Sequence, residues 1–577
     1  MFIMKNDSNK QLYTGADALN DALIKSGVDC VFLNSGTDYP PIIESWAKYE
    51  AEGKKNPRII ISPHEYAGMS AAQGYAQITG KAQAVFVHVD VGTENLGGAV
   101  HNAFRCRTPV YILAGLSPYT MEDELRGGRN AHIQFLQNIA DQGAIVREYT
   151  KMNYEYRSAK NIQQMTHRAL QIAHSEPMGP VYMMAAREVL EDESIDVHAN
   201  THQWSSTTPA AMDAESIQTV TRALAEAKKP LIITSYSGRN TKCPAELEKL
   251  AETLAIPVIE ADPPINMNFP GENPLHAGFE ARGFIEHSDV ALIIDCDMPW
   301  IPAHTRPKAN CRVFYIDTDP LKEHIPLWYI KAERFIKADA FTALRQLNDE
   351  LEKSPQICDP ALIASRRSKV HDIHKKMRES WAYVDGGEDH ITPEFLTSCI
   401  SKVIDDDTVL LNEAITNSMH IGRMLPRNKP GTLFASGGSS LGWNGGAAVG
   451  IKLACPEKDV VALTGDGSYI FSCPTAVYWM AAKYETPFMT VIYNNQGWNA
   501  PKQITARQHP EGFAVNTNSY WTSLAPAAQL DKVAEAAGGA FAKTVKDPKE
   551  LSGVLDEGKE AVRNGKCAVI SVLLPPV

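Results

Sequence analysis

The sequence predicts an α/β protein built from three doubly wound parallel-sheet domains. Short apolar segments rich in β-branched residues alternate with amphipathic helical segments along nearly the whole chain, an order typical of parallel sheets covered by helices. At 577 residues the chain is also too long for a single hydrophobic core. We expect an N-terminal domain at residues 12–191, a central domain at 212–351 and a C-terminal domain at 390–577, with a polar linker at 192–211.

Each predicted domain contains several short strands. In the N-terminal domain we expect strands at 59–61, 84–89 and 109–114 and a helix at 66–77. In the central domain we expect strands at 230–234, 256–261, 290–295 and 313–317. A charged helix at 365–379 and a turn at Gly386-Gly387 lead to the C-terminal domain, with strands at 432–435, 460–464 and 488–493 and a helix at 474–484.

The composition excludes several classes of function. The net charge of -12, from 56 basic and 68 acidic residues, argues against nucleic acid or an anionic membrane as a partner. The ten cysteines include no Cys-x-x-Cys pair, which indicates free thiols in a reducing compartment. Residues 1–10 are polar, unlike a signal peptide, and no apolar run reaches the roughly 18 residues of a membrane span. We therefore expect a cytoplasmic protein with no membrane segment.

A metal-binding motif follows the predicted strand at 460–464. Gly465-Asp466-Gly467-Ser468 comes directly after this strand, and the next strand leads to Asn494-Asn495. The carboxyl ends of parallel strands meet at one edge of a sheet, where such folds bind their ligands. The two glycines allow the backbone to approach a ligand closely. One carboxylate, one amide oxygen and nearby carbonyl oxygens suit a Mg²⁺ ion that keeps phosphate groups as ligands.

A serine hydrolase is a competing interpretation. The run from Gly438 to Gly442 matches the Gly-x-Ser-x-Gly pattern around a nucleophilic serine, here Ser440, after the predicted strand at 432–435. The downstream histidine that this order requires could only be His509, which lies in a polar segment. The signatures of dinucleotide dehydrogenases, P-loop NTPases and zinc proteases are absent from the sequence.

Two separate segments resemble the thiamine-diphosphate-dependent enzymes. The segment 465–495 resembles their cofactor fingerprint, which begins Gly-Asp-Gly and ends in a double asparagine. The segment 64–76, from His64-Glu65 to Gly74-Tyr75-Ala76, resembles a segment of acetolactate synthases and related decarboxylases. The resemblance covers essentially the whole chain as pyrimidine-binding, central and diphosphate-binding domains, in the predicted order.

The resemblance assigns roles to individual residues. It implies thiamine diphosphate and Mg²⁺ as cofactors, with Glu65 hydrogen-bonded to N1′ of the aminopyrimidine and favouring the tautomer that activates the thiazolium. It implies a metal site made by Asp466, Asn495 and the carbonyl of Gly497. The cofactor would also contact Gly465, Gly467, Ser468 and Leu441, of which Leu441 matches the bulky residue under its V-shaped conformation. Glu65 and Asp466 come from different subunits in this family, so a homodimer or homotetramer is implied.

The branch of the family is less sharply defined by the residues. His88, followed by Gly92-Thr93-Glu94-Asn95, resembles benzoylformate decarboxylase and is a candidate proton relay. His304 falls near a second histidine of that enzyme, and Thr37 near a serine that contacts substrate. Gln137 instead matches a glutamine of acetolactate synthases, although the acid that follows it there is missing. The sequence at 293–300 departs from the flavin-associated turn of those synthases, so FAD is not expected.

The expected reaction is cleavage or formation of a C–C bond in a 2-oxo acid. The resemblance implies decarboxylation to an enamine, followed by protonation to an aldehyde or addition to a second carbonyl to give an acyloin. Benzoylformate-decarboxylase-like chemistry is favoured. The alternatives are an acetolactate-synthase-like carboligase, a 2-hydroxyacyl lyase that does not decarboxylate, and a cofactor-binding protein without catalysis. Trp498, beside the metal motif, is expected to line the pocket and to favour an apolar or aromatic substrate.

Overall fold

Three parallel β-sheets organise the chain, which confirms the predicted fold class. The structure is a computed structural model that describes residues 13–193, 204–261, 264–328, 330–382, 384 and 387–577. The chain divides between Thr207 and Thr208 into two compact units, of which the first contains one sheet and the second contains two. The predicted domain boundaries remain predictions. Residues 194–203 of the predicted linker, the predicted start at residue 12 and Gly386 lie outside the described residues.

The first unit contains a six-stranded sheet with the order β2-β1-β3-β4-β6-β5. Its helices and strands are α1 (Gly15–Lys25), β1 (Cys30–Leu33), α2 (Pro40–Ala51), β2 (Arg58–Ile61), α3 (Glu65–Thr79), β3 (Gln83–Val87), α4 (Val89–Arg105), β4 (Val110–Leu116), α5 (Ile133–Leu136), β5 (Asn153–Tyr156), α6 (Ile162–His174), β6 (Val181–Ala186) and α7 (Arg187–Glu191). The central strands β1, β3, β4 and β6 are almost entirely buried. Because both faces of these strands are buried, their sequences are continuous runs of mostly apolar residues.

Helix α3 begins at Glu65 because His64 caps it. The side chain of His64 accepts a hydrogen bond from the backbone N–H of Tyr66, at 3.1 Å, and so satisfies one of the free donors at the start of the helix. The helix ends at Gly80, which adopts a left-handed conformation. The predicted helix at 66–77 is thus confirmed and extended by one residue at its start and two at its end.

The central domain contains a five-stranded sheet with the order β11-β10-β9-β7-β8. It comprises α8 (Ala214–Glu226), β7 (Pro230–Thr234), α9 (Cys243–Leu254), β8 (Val258–Glu260), β9 (Val290–Ile294), β10 (Arg312–Asp317), β11 (Arg334–Lys337), α10 (Ala340–Lys353) and α11 (Pro360–Trp381). Apolar residues on both faces of this sheet are buried against helices and loops.

The C-terminal domain contains a six-stranded sheet with the order β13-β12-β14-β15-β17-β16. It comprises α12 (Pro393–Val403), β12 (Val409–Glu413), α13 (Ser418–Met424), β13 (Leu433–Phe434), α14 (Trp443–Ala454), β14 (Val460–Gly465), α15 (Asp466–Phe471), α16 (Pro474–Lys483), β15 (Met489–Asn494), α17 (Asn499–Gln508), α18 (Phe513–Thr517), α19 (Leu530–Gly538), β16 (Phe541–Val545), α20 (Pro548–Arg563) and β17 (Ala568–Leu573).

Each sheet contains a reversal of strand order between two adjacent inner strands. The reversal lies between β1 and β3 in the first sheet, between β7 and β9 in the second and between β12 and β14 in the third. The connections leave such a position in opposite directions, which opens a crevice at the carboxyl ends of the two strands. The structure therefore has three crevices in which ligands could bind. Among the described helices, none combines the length and apolarity needed to cross a bilayer.

Candidate active site

A cavity of about 370 Å³ lies at the reversal point of the C-terminal sheet. Its lining includes residues that follow β12, β14 and β15, namely Ala414, Asp466, Ser468, Asn495, Gly497 and Trp498. Leu441, just before α14, lines it as well. The structure thus gathers around one cavity all the predicted metal ligands and the predicted cofactor contacts of this domain.

Asp466 is held in place by backbone hydrogen bonds. It is the first residue of α15 and is 4% exposed. Its Oδ1 accepts from the N–H of Gly467 and its Oδ2 accepts from the N–H of Gly497, both at 2.9 Å. Burial raises the pKa of Asp466, and these hydrogen bonds oppose that rise. A cation beside this carboxylate would stabilise its charged form.

Two buried acceptors in the cavity have no hydrogen-bond partner within the described part of the chain. They are Oδ1 of Asn495 and Oγ of Ser468. Buried polar atoms are normally satisfied, so these two are available to a ligand in this cavity. The side chain of Asn494, in contrast, is engaged by Ser571 and by the N–H of Gln496. Asn495, which the resemblance implies as a metal ligand, is therefore the asparagine whose side-chain oxygen is not engaged by any described residue.

This donor set fits a Mg²⁺–diphosphate group. Among the described residues there is no cluster of three or more His, Cys, Asp or Glu side chains able to hold a metal ion. A softer metal such as zinc would normally require such a cluster. Asp466 and Asn495 offer one charged and one neutral oxygen, which suits a hard cation that keeps phosphate ligands.

Glu413 fixes the loop that carries Leu441. It is the last residue of β12 and accepts three backbone hydrogen bonds at the start of α14: Oε1 from Gly442 (2.8 Å) and Trp443 (3.1 Å), and Oε2 from Asn444 (3.1 Å). Complete burial raises the pKa of Glu413 to about 7, although these hydrogen bonds oppose the rise. The sequence analysis assigned Glu413 no such function, because its partners lie about thirty residues away.

In the first unit, Glu65 is buried and oriented by a neighbour. It is 8% exposed, and its Oε2 accepts a hydrogen bond from Nδ2 of Asn95 at 3.1 Å. Asn95 lies in α4, in the Gly-Thr-x-Asn run that the sequence analysis noted without assigning it a function. The contact shows that this asparagine positions the carboxylate predicted to bind the cofactor.

His88 lies at the reversal point of the first sheet and contacts two acceptors. It directly follows β3, and its Nδ1 is 2.6 Å from Oδ1 of Asp38, in the loop after β1. Its Nε2 is 2.7 Å from Oε1 of Gln137. The structure thus brings together two predicted residues, His88 and Gln137, with one that the sequence analysis missed, Asp38. The neighbouring Thr37 is exposed, and its carbonyl accepts a hydrogen bond from Arg187.

The crevice of the central sheet is occupied by charged side chains of the protein itself. Nζ of Lys322 lies 2.6 Å from Oδ2 of Asp317, at the end of β10, and 2.8 Å from Oδ1 of Asp297, just after β9. The hydroxyl of Tyr236, after β7, also donates to Asp297. His304 lies in an exposed turn, where its backbone N–H bonds to Ile301. It does not line the cavity around Asp466.

Comparison with known proteins agrees with the geometry of these sites. The chain matches the sequence models of three domains of thiamine pyrophosphate enzymes: the N-terminal TPP binding domain over residues 13–145, the central domain over 217–347 and the C-terminal TPP binding domain over 415–572. It is 24% identical to acetolactate synthase isozyme 3 large subunit of Escherichia coli, over 97% of this chain and 95% of that protein. It is 21% identical to benzoylformate decarboxylase of Pseudomonas aeruginosa, over 83% and 85% of the two chains.

A solved structure shows the same fold. The benzoylformate decarboxylase of Polynucleobacter necessarius superposes with a TM-score of 0.80 at 20% sequence identity, over 98% of this chain and 100% of that one.

Replacing Asp466 tests the metal site. We expect Asp466→Asn to weaken Mg²⁺-dependent binding of thiamine diphosphate about tenfold or more, because an amide lacks the charge that a hard cation prefers. Isothermal titration calorimetry of wild type and variant measures the difference. Asp407→Asn, which changes an exposed aspartate of the same unit, is the matched control and should bind normally. Equal affinity in Asp466→Asn and wild type would contradict this assignment of the metal ligand.

The burial of Glu413 predicts a pH dependence of stability. Its pKa rises from 4.5 to about 7 on folding, so its stabilising contribution is complete below about pH 4.5 and is lost as the pH rises through about 7. Glu413→Gln cannot titrate, and its amide places a donor among three N–H groups, at a cost of about 1–3 kcal/mol. We therefore expect the excess stability of wild type over this variant to be larger at about pH 5 than at about pH 8.

Calorimetric unfolding at the two pH values measures this excess. Glu557→Gln, at an exposed glutamate of α20, should differ from wild type by the same small amount at both. If the excess stability of wild type over Glu413→Gln stayed constant or grew with pH, the carboxyl group of Glu413 would be ionised throughout the range.

Proposed function

The chain belongs to the thiamine pyrophosphate enzyme family, and we propose that it is a thiamine-diphosphate- and Mg²⁺-dependent lyase or carboligase acting on a 2-oxo acid. The observation that carries the proposal is the pair of buried polar atoms without hydrogen-bond partners among the described residues, Asn495 Oδ1 and Ser468 Oγ, beside the buried carboxylate of Asp466. These groups line one cavity at the sheet edge where this fold class binds ligands. A serine hydrolase is not proposed, because its mechanism uses no bound cation or phosphate that would engage Asp466, Asn495 and Ser468.

The cavity would hold the diphosphate end of the cofactor. Asp466, Asn495 and the carbonyl of Gly497 would bind Mg²⁺, and Ser468 would donate to a phosphate oxygen. Leu441 would support the cofactor from the loop that Glu413 anchors to the start of α14. When bound, thiamine diphosphate supplies a carbon nucleophile and an acceptor for the electron pair released with CO₂.

Glu65 would act at the pyrimidine end. Its carboxylate is buried and oriented by Asn95, so a proton shared with N1′ would lie in surroundings of low dielectric constant, where hydrogen bonds are strong. The resemblance to the family supports this role, and the orientation of Glu65 in the first unit agrees with it.

We propose a benzoylformate-decarboxylase-like substrate, a 2-oxo acid with an apolar or aromatic side chain. The cavity lining supports this choice, because Phe471, Trp498 and Pro501 present apolar surface beside the metal ligands. His88 supports the benzoylformate-decarboxylase-like branch as well. No role is proposed for His304, because it lies in an exposed turn. An acetolactate-synthase-like carboligase is the second candidate, favoured by the 24% identity to such an enzyme over 97% of the chain.

We propose that the central domain binds no FAD. Its crevice holds the buried ion pairs of Lys322 with Asp297 and Asp317, and these charges would have to separate before a nucleotide could enter. A cytoplasmic location is also proposed, supported by ten free cysteines.

The release of CO₂ by the purified protein tests the reaction. We expect release from pyruvate, benzoylformate or a branched 2-oxo acid only when thiamine diphosphate and Mg²⁺ are present. Glu65→Gln should lower this rate by about 100-fold or more, since it removes an acid–base group, while still binding the cofactor. Glu122→Gln, at an exposed glutamate of the same unit, should retain full activity. Absence of CO₂ from every acid despite bound cofactor would instead favour a lyase that cleaves 2-hydroxyacyl substrates without decarboxylation.

We also propose that the enzyme is a homodimer or homotetramer with its active site at the subunit interface. The large exposed aromatic side chains of Phe513 (92%) and Trp521 (89%) support an oligomer, because monomers seldom expose such residues fully. Sedimentation velocity should give at least twice the 63.4 kDa chain mass. A single species of the chain mass in the presence of cofactor would exclude this arrangement.

A further inference from the structure

The turn at residues 494–497, which begins with the last residue of β15, carries two of the three proposed metal ligands, the side chain of Asn495 and the carbonyl of Gly497. We propose that Ser571, in the neighbouring strand β17, is a positioning residue for this metal site, that it acts through Asn494, and that the rigid turn it maintains favours Mg²⁺ over larger cations. The inference rests on the proposed function and deepens it, because it identifies what fixes the geometry of the ligands.

The side chain of Asn494 links β17 to this turn. Its Nδ2 donates to Oγ of Ser571 at 3.1 Å, and its Oδ1 accepts from the backbone N–H of Gln496 at 3.2 Å. Asn494 is 2% exposed and Ser571 is fully buried, so water does not compete for the bond between them. One amide group thus joins the strand to the turn, and removal of the serine hydroxyl would leave a buried N–H group without its acceptor.

The register of the sheet brings the two side chains together. Ser571 is paired with Ile492 in the parallel ladder between β15 and β17, and Asn494 lies two residues further along β15. Because side chains alternate between the two faces of a strand, all three lie on the same face of the sheet. Tyr493 and Val572, on the opposite face, belong to an apolar core cluster. The contact between Ser571 and Asn494 is therefore set by strand pairing and not by a loop.

The segment that follows β17 holds the backbone of the same turn. The N–H of Leu574 donates to the carbonyl of Asn494 at 2.9 Å, and the N–H of Val577 donates to the carbonyl of Asn495 at 3.0 Å. The side chain of Ser571 and the backbone after β17 thus bind consecutive residues of the turn, one of which is a proposed metal ligand. The last strand of the sheet and its extension together fix the position of Asn495.

The conformation of the turn is one that its surroundings must maintain. Gln496 has a φ of 56°, in the left-handed region that residues with a Cβ seldom adopt, and its carbonyl accepts from the N–H of Leu524 at 2.7 Å. A Cβ atom at Gly497 would lie 2.7 Å from the carbonyl oxygen of Thr522, so the two backbone segments approach closely. Strained conformations persist where the surrounding contacts over-determine them, and they are concentrated at functional sites.

The rigidity of the turn bears on which cation the site prefers. The N–H of Gly497 donates to Oδ2 of Asp466 at 2.9 Å, so a shift of the turn would change the separation of all three proposed ligands. Mg²⁺ requires nearly ideal octahedral geometry with oxygens at about 2.0–2.1 Å, whereas Ca²⁺ accepts variable geometry at about 2.3–2.6 Å. A turn that is held less firmly should therefore weaken the binding of Mg²⁺ more than the binding of Ca²⁺.

Calorimetric titration of thiamine diphosphate into the full-length protein, with Mg²⁺ and separately with Ca²⁺, tests the inference without turnover. We expect Ser571→Ala to weaken Mg²⁺-dependent binding about tenfold, as the loss of an outer partner of a metal ligand typically does, and to weaken Ca²⁺-dependent binding less. Thr490→Val is the matched control, because Thr490 is also buried in the β15–β17 pair and accepts from the hydroxyl of Tyr478 at 2.8 Å. It should lower the unfolding temperature while leaving binding with both cations unchanged.

A double-mutant cycle tests whether Ser571 acts through Asn494. Asn494→Ala alone removes the same hydrogen bond from its other end and should shift the cation preference in the same direction. In that background Ser571→Ala should have little further effect on Mg²⁺-dependent binding. Circular dichroism establishes that each variant is folded. Unchanged Mg²⁺-dependent binding in Ser571→Ala, equal losses with the two cations, or additive effects in the cycle would overturn the inference and leave the proposed function standing. Absence of thiamine diphosphate binding by wild type with either cation would overturn the proposed function, and the inference with it.

Discussion

The parallel arrangement of strands imposes the main constraint on this protein. Every strand of a parallel sheet ends at the same edge, and where the strand order reverses, the connections part and leave a crevice. Side chains that follow the two flanking strands must enter this crevice together, however far apart they lie in the sequence. Asp38 and His88 meet in this way in the first sheet, whereas in the third Glu413 ends one flanking strand and Asp466 follows the other.

The described residues at the three crevices satisfy their buried charges in different ways. In the first sheet Asp38 pairs with His88, and in the second Lys322 pairs with two aspartates. In the third, Glu413 is satisfied by backbone N–H groups, whereas Asn495 and Ser468 keep unsatisfied acceptors. At this last crevice, the buried carboxylate of Asp466 lies beside the side-chain oxygens of Asn495 and Ser468, which no described residue engages. This combination, rather than the shared fold, supports the proposal that a cation and its phosphate ligands bind there.

Much of the fold and of the candidate site could be predicted from the sequence, because strands and turns are indicated by residues that are adjacent in the chain. Buried strands read as apolar runs, and the predicted strand at 230–234 coincides with β7. The Gly-Asp-Gly motif places Asp466 at a strand end because strand and turn are adjacent in the chain. Asp38 could not be identified in this way, since an aspartate in a turn is common and its partner lies fifty residues away. Gln137 was expected from the resemblance, but its contact with His88 depends on the path of a long loop.

The ion pairs of Lys322 bear on how the central domain could evolve. The lysine side chain is 2% exposed and that of Asp317 is fully buried, so losing the lysine alone leaves an uncompensated charge in the interior. Such a change is expected to destabilise the domain by several kcal/mol, a large share of a typical margin of about 5–15 kcal/mol. A lineage acquiring a nucleotide site here would have to exchange lysine and aspartates together or be stabilised elsewhere first. The buried charges of this crevice are thus easy to keep and hard to remove one mutation at a time.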